Sequence, residues 1–136
     1  MKRVLPIILA IGMATSAQAA APITGKWFTV GNRSIVEIAP CGTLICGKLF
    51  KILVPVKGNG YDTNNPDAAM HNRPLIGLNI LSSFKDTGKQ WEGRIYDPEH
   101  GKTYRSIVFR NPDGTLAVKG CIAFFCQTPQ TWKPVR

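Results

Sequence analysis

Four cysteines in two identical spacings, Cys41-x4-Cys46 and Cys121-x4-Cys126, carry the clearest chemistry in this chain. Two chemistries suit them. One is a pair of disulfides. The other is a four-thiolate zinc site. Glycine stands beside the cysteines in Cys41-Gly42, Cys46-Gly47 and Gly120-Cys121. It permits the chain reversal that brings the Cα atoms of a local pair within about 7 Å. Local bridges, Cys41–Cys46 and Cys121–Cys126, are therefore expected. Zinc knuckles use shorter spacings, so no metal is expected. A redox role would need C-x-x-C, which is absent.

Other reactive types are sparse. His71 and His100 both fall in polar turns, and no nucleophile elbow, metalloprotease, phosphate-loop or dinucleotide motif occurs. Asp97 and Glu99 flank Pro98 and could act as an acid/base pair. Turn chemistry explains them more simply: Asp97 caps the turn, Pro98 fixes φ, and Gly101 takes a positive φ. Asp97, Pro98 and Gly101 are accordingly expected to be structural. No catalytic residue, cofactor or enzymatic activity is expected.

The N-terminus addresses the compartment. Met1-Lys2-Arg3 is basic, residues 4–14 are apolar and too short to span a bilayer, and Ala17-Gln18-Ala19 is a small-x-small cleavage site. This pattern predicts a signal peptide over 1–19, a single domain over 20–136, and a periplasmic or secreted destination that is oxidising to cysteines. It also predicts that the protein is not integral to a membrane. The formal charge is +9; without Lys2 and Arg3 the seventeen basic residues become fifteen against eight acidic, leaving +7. Such a charge suits an anionic envelope component or amphipath. The charges are scattered and form no basic motif, which argues against nucleic acid.

Strands must position all of this. Apolar-rich runs at 25–30, 34–39, 48–56, 75–81, 91–97, 102–110, 115–120 and 130–135 read as eight short strands. The last part is a meander with turns at 97–101 and 111–114. Eight short strands point to a barrel or a sandwich. Residues 57–74 form a long polar loop, and long loops in small domains are often functional. Within it, Asn65 as cap, Pro66 as first residue and Asp67 near the start predict one helical turn.

Several of these segments resemble one family. Arg73-Pro74-Leu75-Ile76-Gly77-Leu78, Tyr96-Asp97-Pro98-Glu99, Gly101-Lys102-Thr103-Tyr104 and Gln130-Thr131-Trp132 look like the bacterial domain of unknown function 2147. The resemblance spans roughly 25–132. It implies an all-β, lipocalin-like antiparallel eight-stranded barrel and no enzymatic activity. Gly25-x-Trp27 is similar to the G-x-W of lipocalins, which implies a structural Trp27 beneath a basic side chain of the last strand, here Lys133 or Arg136.

An eight-stranded barrel holds one small ligand or is filled by side chains. Two function classes follow. One is a carrier of a small apolar or anionic amphipathic molecule. The other is an interaction module with a filled barrel, working at the envelope surface through its loops. For the carrier, the expected polar contacts at the open end are Tyr61, Arg73, Tyr96, Tyr104 and Arg105. Tyrosine joins an apolar ring to a hydroxyl, and arginine grips an acidic head. Expected core residues are Trp27, Val36, Ile38, Leu78, Trp91, Ile95, Leu116 and Val118. In 102–110, Tyr104, Ser106 and Val108 compete with Arg105, Ile107 and Phe109 for the interior.

Overall fold

Turn chemistry sets the ends of the meander. The Glu99 amide donates to Asp97 Oδ1 at 2.9 Å, and Gly101 closes that turn at φ +63°. At the next turn the Asn111 amide donates to the Thr115 carbonyl at 2.8 Å, and Asp113 Oδ1 accepts the Thr115 amide at 3.0 Å. Such side-chain-to-backbone bonds end strands locally, without help from the core. In the computed structural model, which describes residues 2–14 and 18–136, nine strands result. They are β1 (Gly25–Phe28), β2 (Ser34–Cys41), β3 (Leu44–Ile52), β4 (Asn79–Asp86), β5 (Trp91–Asp97), β6 (Lys102–Arg110), β7 (Leu116–Ile122), β8 (Phe125–Cys126) and β9 (Gln130–Pro134). Met1 and residues 15–17 lie outside the described part, and so does part of the expected export signal, including Ala17.

The strands pair in the order β6-β5-β4-β3-β2-β1-β9-β7, and β6 pairs with β7 to close the ring. All pairings are antiparallel. This is a closed eight-stranded barrel with β8 as a short extra arm on β7. Among the described residues no helix is long and apolar enough to cross a membrane.

Alternation decides what fills the barrel. Val36 and Ile38 of β2, Val108 of β6, and Leu116 and Val118 of β7 are buried and packed together. On β6 it is Tyr104, Ser106 and Val108 that face inward, while Arg105 is exposed. Leu78, Trp91 and Ile95, expected in the core, are only half-buried and pack against its edge.

Bulges shift two strands from their expected frames. Ile35 partners Lys51 and Val36 partners Leu49, so Phe50 is an extra residue. The bulge resets the side-chain parity: Leu49 is buried, Phe50 is 46% exposed, and Ile52, three residues on from Leu49, packs against the core. In β4 the register slips between Ser82 and Lys85, around Ser83 at φ 58°. Leu81 and Phe84, three residues apart, both reach the core as a result.

The two ends of the barrel differ. At the closed end, 20–24 crosses the floor. Ile23 is buried, and its carbonyl accepts from Trp27 Nε1 at 3.0 Å. The Trp91 indole donates to the Ala21 carbonyl at 2.9 Å, and Arg110 Nη1 to the Pro22 carbonyl at 3.3 Å. Arg110 also sits over the Trp27 ring at 5.5 Å. The cation on Trp27 is therefore Arg110 of β6, not Lys133 or Arg136. The end of β6 reaches the floor beside Pro22, whereas Lys133 partners Phe28 higher up β1.

The bridges are Cys41–Cys46 and Cys121–Cys126. The first ties the β2–β3 turn at the closed end. The second ties the β7–β8 hairpin at the other end.

Gly93 shows how tightly the floor half is packed. A Cβ there would lie 2.6 Å from both the Phe84 ring and the Ser82 carbonyl oxygen. Phe84 is 1% exposed and has nowhere to move. Gly93→Ala is expected to lower unfolding free energy by about 2 kcal/mol, read from the urea midpoint. An unchanged midpoint would contradict this packing.

Candidate functional site

The mouth end is built by five connections: residues 29–33, the long loop 53–78, the turn 97–101, the tip of the β7–β8 hairpin, and residues 127–129 between β8 and β9. The long loop is folded. Tyr61 and Pro74 form an antiparallel bridge, the Leu75 amide donates to the Gly60 carbonyl at 2.9 Å, and the Asp62 amide donates to the Arg73 carbonyl at 2.9 Å. Its helical turn starts later than expected. Asn65 Oδ1 accepts the Asp67 amide, and Asp67, not Asn65, caps the 3-10 turn Ala68–Met70 by accepting the Ala69 amide at 3.0 Å.

The loop is organised around Asp62, a fully buried carboxylate. Tyr96 donates its hydroxyl to Oδ1 at 2.6 Å. Arg73 Nη2 and Asn65 Nδ2 donate to Oδ2 at 2.6 and 2.9 Å. Burial of Asp62 opposes its ionisation, but the hydrogen bonds from Tyr96, Arg73 and Asn65 together hold its carboxyl below the ordinary range. Tyr96 moves the other way. Burial first, and then the neighbouring Asp62 carboxylate, push its phenol up to about 12. Asn64 Nδ2 completes the docking by donating to the Glu99 carbonyl at 2.9 Å, tying the loop to the 97–101 turn.

Beneath these connections the barrel is hollow. A cavity of about 450 Å³ occupies its mouth half. Leu49, Ile80, Ile95, Val118 and Trp132 form its deep wall, and Arg33, Lys57, Tyr61, Gln127 and Thr128 are among the residues nearer the entrance. The volume falls within the usual range of small-molecule sites, roughly 300–1,000 Å³. The floor half is packed solid by Trp27, Val36, Ile38, Phe84 and Val108. The barrel is therefore half filled, which departs from the filled interior of the interaction-module expectation.

Three of the five expected contacts line this cavity: Tyr61, Tyr96 and Tyr104. Tyr96 spends its hydroxyl on Asp62, whereas the Tyr104 hydroxyl has no protein partner among the described residues. Arg73 and Arg105 do not line it. Arg73 is committed to Asp62, and its Nε is buried without a partner. Arg105 lies on the outer face of β6, with Nη2 3.5 Å from the Ala123 carbonyl. The cations of the cavity are Arg33 and Lys57, in connections that carry no motif in the sequence.

Asp97, Glu99 and His100 also stand at the entrance, with ligating atoms within 4.8 Å of one another. All three are already engaged. His100 Nδ1 lies 2.7 Å from Asp97 Oδ2, and Arg33 Nη2 lies 3.6 Å from Glu99 Oε1. A guanidinium beside the cluster disfavours a metal cation. Asp97 gives one oxygen to the Glu99 amide and the other to His100 Nδ1, which is turn chemistry. The Arg33–Glu99 pair cancels part of the charge at the rim. Lys57 is then the cavity cation with no acidic partner within 4.0 Å among the described residues.

A protein-family profile described as "Uncharacterized protein conserved in bacteria (DUF2147)" matches residues 25–134. A solved structure described as "Protein HP1028 from the human pathogen Helicobacter pylori belongs to the lipocalin family" has the same fold as this chain. Its TM-score is 0.74, the identity is 23%, and the match covers 86% of this chain and 85% of that one. No curated protein shows significant similarity to the sequence.

Proposed function

Since this chain belongs to the bacterial DUF2147 family and folds as a lipocalin-like barrel, we propose that it is an exported, non-enzymatic carrier of one small amphipathic molecule. The observation that carries this reading is the half-filled barrel. Its open half has an apolar wall, and its rim offers hydroxyls, amides and one unpaired ammonium. The apolar part of the ligand lies against Ile80, Ile95, Val118 and Trp132. Its head meets Tyr104, Tyr61 and Lys57. A single acidic or hydrogen-bonding head suits this rim better than a multiply charged one, because Glu99 offsets Arg33 and Asp97 adds a carboxylate of its own.

Titration with 11-(dansylamino)undecanoic acid tests the reading. The expected result is saturable one-to-one binding with a Kd on the order of 1–10 μM. A linear, non-saturating signal would overturn it.

Export is part of the same reading. Two disulfides suit an oxidising compartment. Burial also begins where cleavage after Ala19 would start the mature chain. Residues 2–14, 18 and 19 are exposed, and Ala20 is 8% exposed. The Ala20 nitrogen sits 3.1 and 3.0 Å from the two oxygens of Asp86. A new α-ammonium at Ala20 would meet that carboxylate as an ion pair. Intact mass of the exported protein is expected to begin at Ala20. Asp86→Asn is expected to cost the processed chain about 1 kcal/mol, and clearly less when an extra residue precedes Ala20. Equal losses in both chains would sink the ion pair.

A further inference from the structure

Between residues 20 and 136, nine large apolar side chains are exposed, and their placement is uneven. Phe50 lies on the barrel wall, where the Lys26 ammonium covers its ring at 4.0 Å. The other eight belong to the mouth connections: Val30, Leu53, Tyr61, Met70 and Ile76, then Ile122, Phe124 and Phe125 at the hairpin tip. Phe124 is 97% exposed, Phe125 81% and Ile122 60%. Ile122, Phe124 and Phe125 share one hairpin tip, and an exposed apolar patch of this kind marks a docking surface.

The hairpin tip is built to hold its shape. The Cys121–Cys126 bridge joins its two arms, and Ile122 partners Phe125 just beyond the bridge. Ala123 takes φ 52° to turn the chain, which leaves Phe124 at the outermost point. Arg105 braces the turn from below through the Ala123 carbonyl. The tip stands at the cavity entrance, since Gly120 and Gln127 flank the bridged pair and both line the cavity.

We propose that this mouth rim docks on an anionic lipid bilayer, with Phe124 and Phe125 inserted among the acyl chains. The tip is convex and projects from the barrel. Phenylalanines partition into the headgroup–acyl boundary, and nearby cations add attraction to anionic lipid. The charge fits: Arg105 lies under the tip, Lys102 opens the same strand, Lys57 is unpaired at the rim, and residues 20–136 carry a net +7. A second copy of the chain is the competing occupant, with one tip seated in the cavity of the other. Docking does not require that a ligand be carried. If one is, this orientation turns the entrance toward the lipid.

Vesicle flotation tests the proposal with the disulfide-intact protein and the double variant Phe124→Ser/Phe125→Ser. Both replaced rings are exposed, so the variant should keep the parent's thermal midpoint, and this is checked first. The parent is expected to float with phosphatidylglycerol-containing vesicles, to float far less with phosphatidylcholine alone, and to be released by salt. The variant is expected to bind about tenfold more weakly or worse. Equal binding by parent and variant would overturn the proposal, as would a parent that stays with the soluble fraction. A dimer in sedimentation that disappears in the variant, without vesicle binding, would assign the rim to a second copy instead. Gly120→Trp, which plugs the cavity, should still float, and this keeps a failure of docking distinct from a failure of the carrier reading.

Discussion

Arg73→Met is expected to lower the unfolding free energy by about 3 kcal/mol at neutral pH, more than Asp62→Asn does. The asymmetry follows from burial. The Asp62 carboxylate is fully enclosed, while the Arg73 side chain is 36% exposed. Removing the arginine strands a buried charge with only Tyr96 and Asn65 to serve it. Removing the aspartate leaves a guanidinium that can turn to water. Combining the two changes should recover part of the Arg73→Met loss, because Asp62→Asn removes the buried charge that Arg73→Met strands. Urea unfolding of the four chains measures the cycle.

The pH dependence of this cluster gives an independent reading. Asp62 titrates lower in the fold than in the unfolded chain. Its contribution is therefore present above the unfolded value, roughly 3.9, and is lost as the pH falls through the lower folded value. Tyr96 is raised to about 12. Its contribution is intact below roughly pH 10 and is lost as the pH climbs toward the folded value. Between these limits the cluster adds no slope. In Arg73→Met the carboxyl keeps its burial and loses its cation, so its folded pKa should rise toward the unfolded one. The variant should then lose less stability than the parent as the pH falls below roughly 3.9. A variant with the same acid limb as the parent would contradict the role given to Arg73.

Gly120→Trp is expected to abolish ligand binding without unfolding the barrel. Gly120 lines the cavity, and a Cβ built on it has no heavy atom within 4 Å. It follows Leu116 and Val118 on the inward face of β7, so the indole enters empty space and not the packed floor. Replacing glycine within a strand also removes an entropic liability of roughly 0.5–1 kcal/mol. The expected result is at least a tenfold loss of affinity for the dansylated fatty acid, about 1.4 kcal/mol or more, with an unchanged or slightly higher thermal midpoint. Full affinity in this variant would move the ligand out of the barrel.

Strand limits were legible where turn chemistry is local. The expected ranges 91–97 and 102–110 coincide with β5 and β6, because Asp97-Pro98 and Asn111-Pro112 with their glycines end strands on their own. The middle of the chain was less legible. The apolar run 75–81 reads as a strand, yet Leu75 to Leu78 form a turn, with the Leu78 amide donating to the Leu75 carbonyl at 3.0 Å. The true β4 continues through Ser82, Ser83, Lys85 and Asp86, polar residues that carry no strand signal. β3 begins at Leu44, four residues before the expected start. The two-residue β8 is held by a disulfide and has no pattern of its own.

The site divides in the same way. Tyr61, Tyr96 and Tyr104 were visible because amphipathic side chains at strand ends and in a long loop suggest a rim. Asp62 was not, because a single aspartate in a polar loop looks solvated until Arg73, Tyr96 and Asn65 are brought to it from separate segments. Arg33 and Lys57 gave no signal because only the closure of the barrel places them at one opening.

The central claim is that the open half of the barrel holds one small amphipath in the cell. Native mass spectrometry of the protein isolated from the periplasm of cells that export it tests this most directly. The predicted spectrum shows a one-to-one adduct of small-molecule mass that is lost on denaturation and is missing from Gly120→Trp. A bare polypeptide mass for both chains, in every preparation, would contradict it.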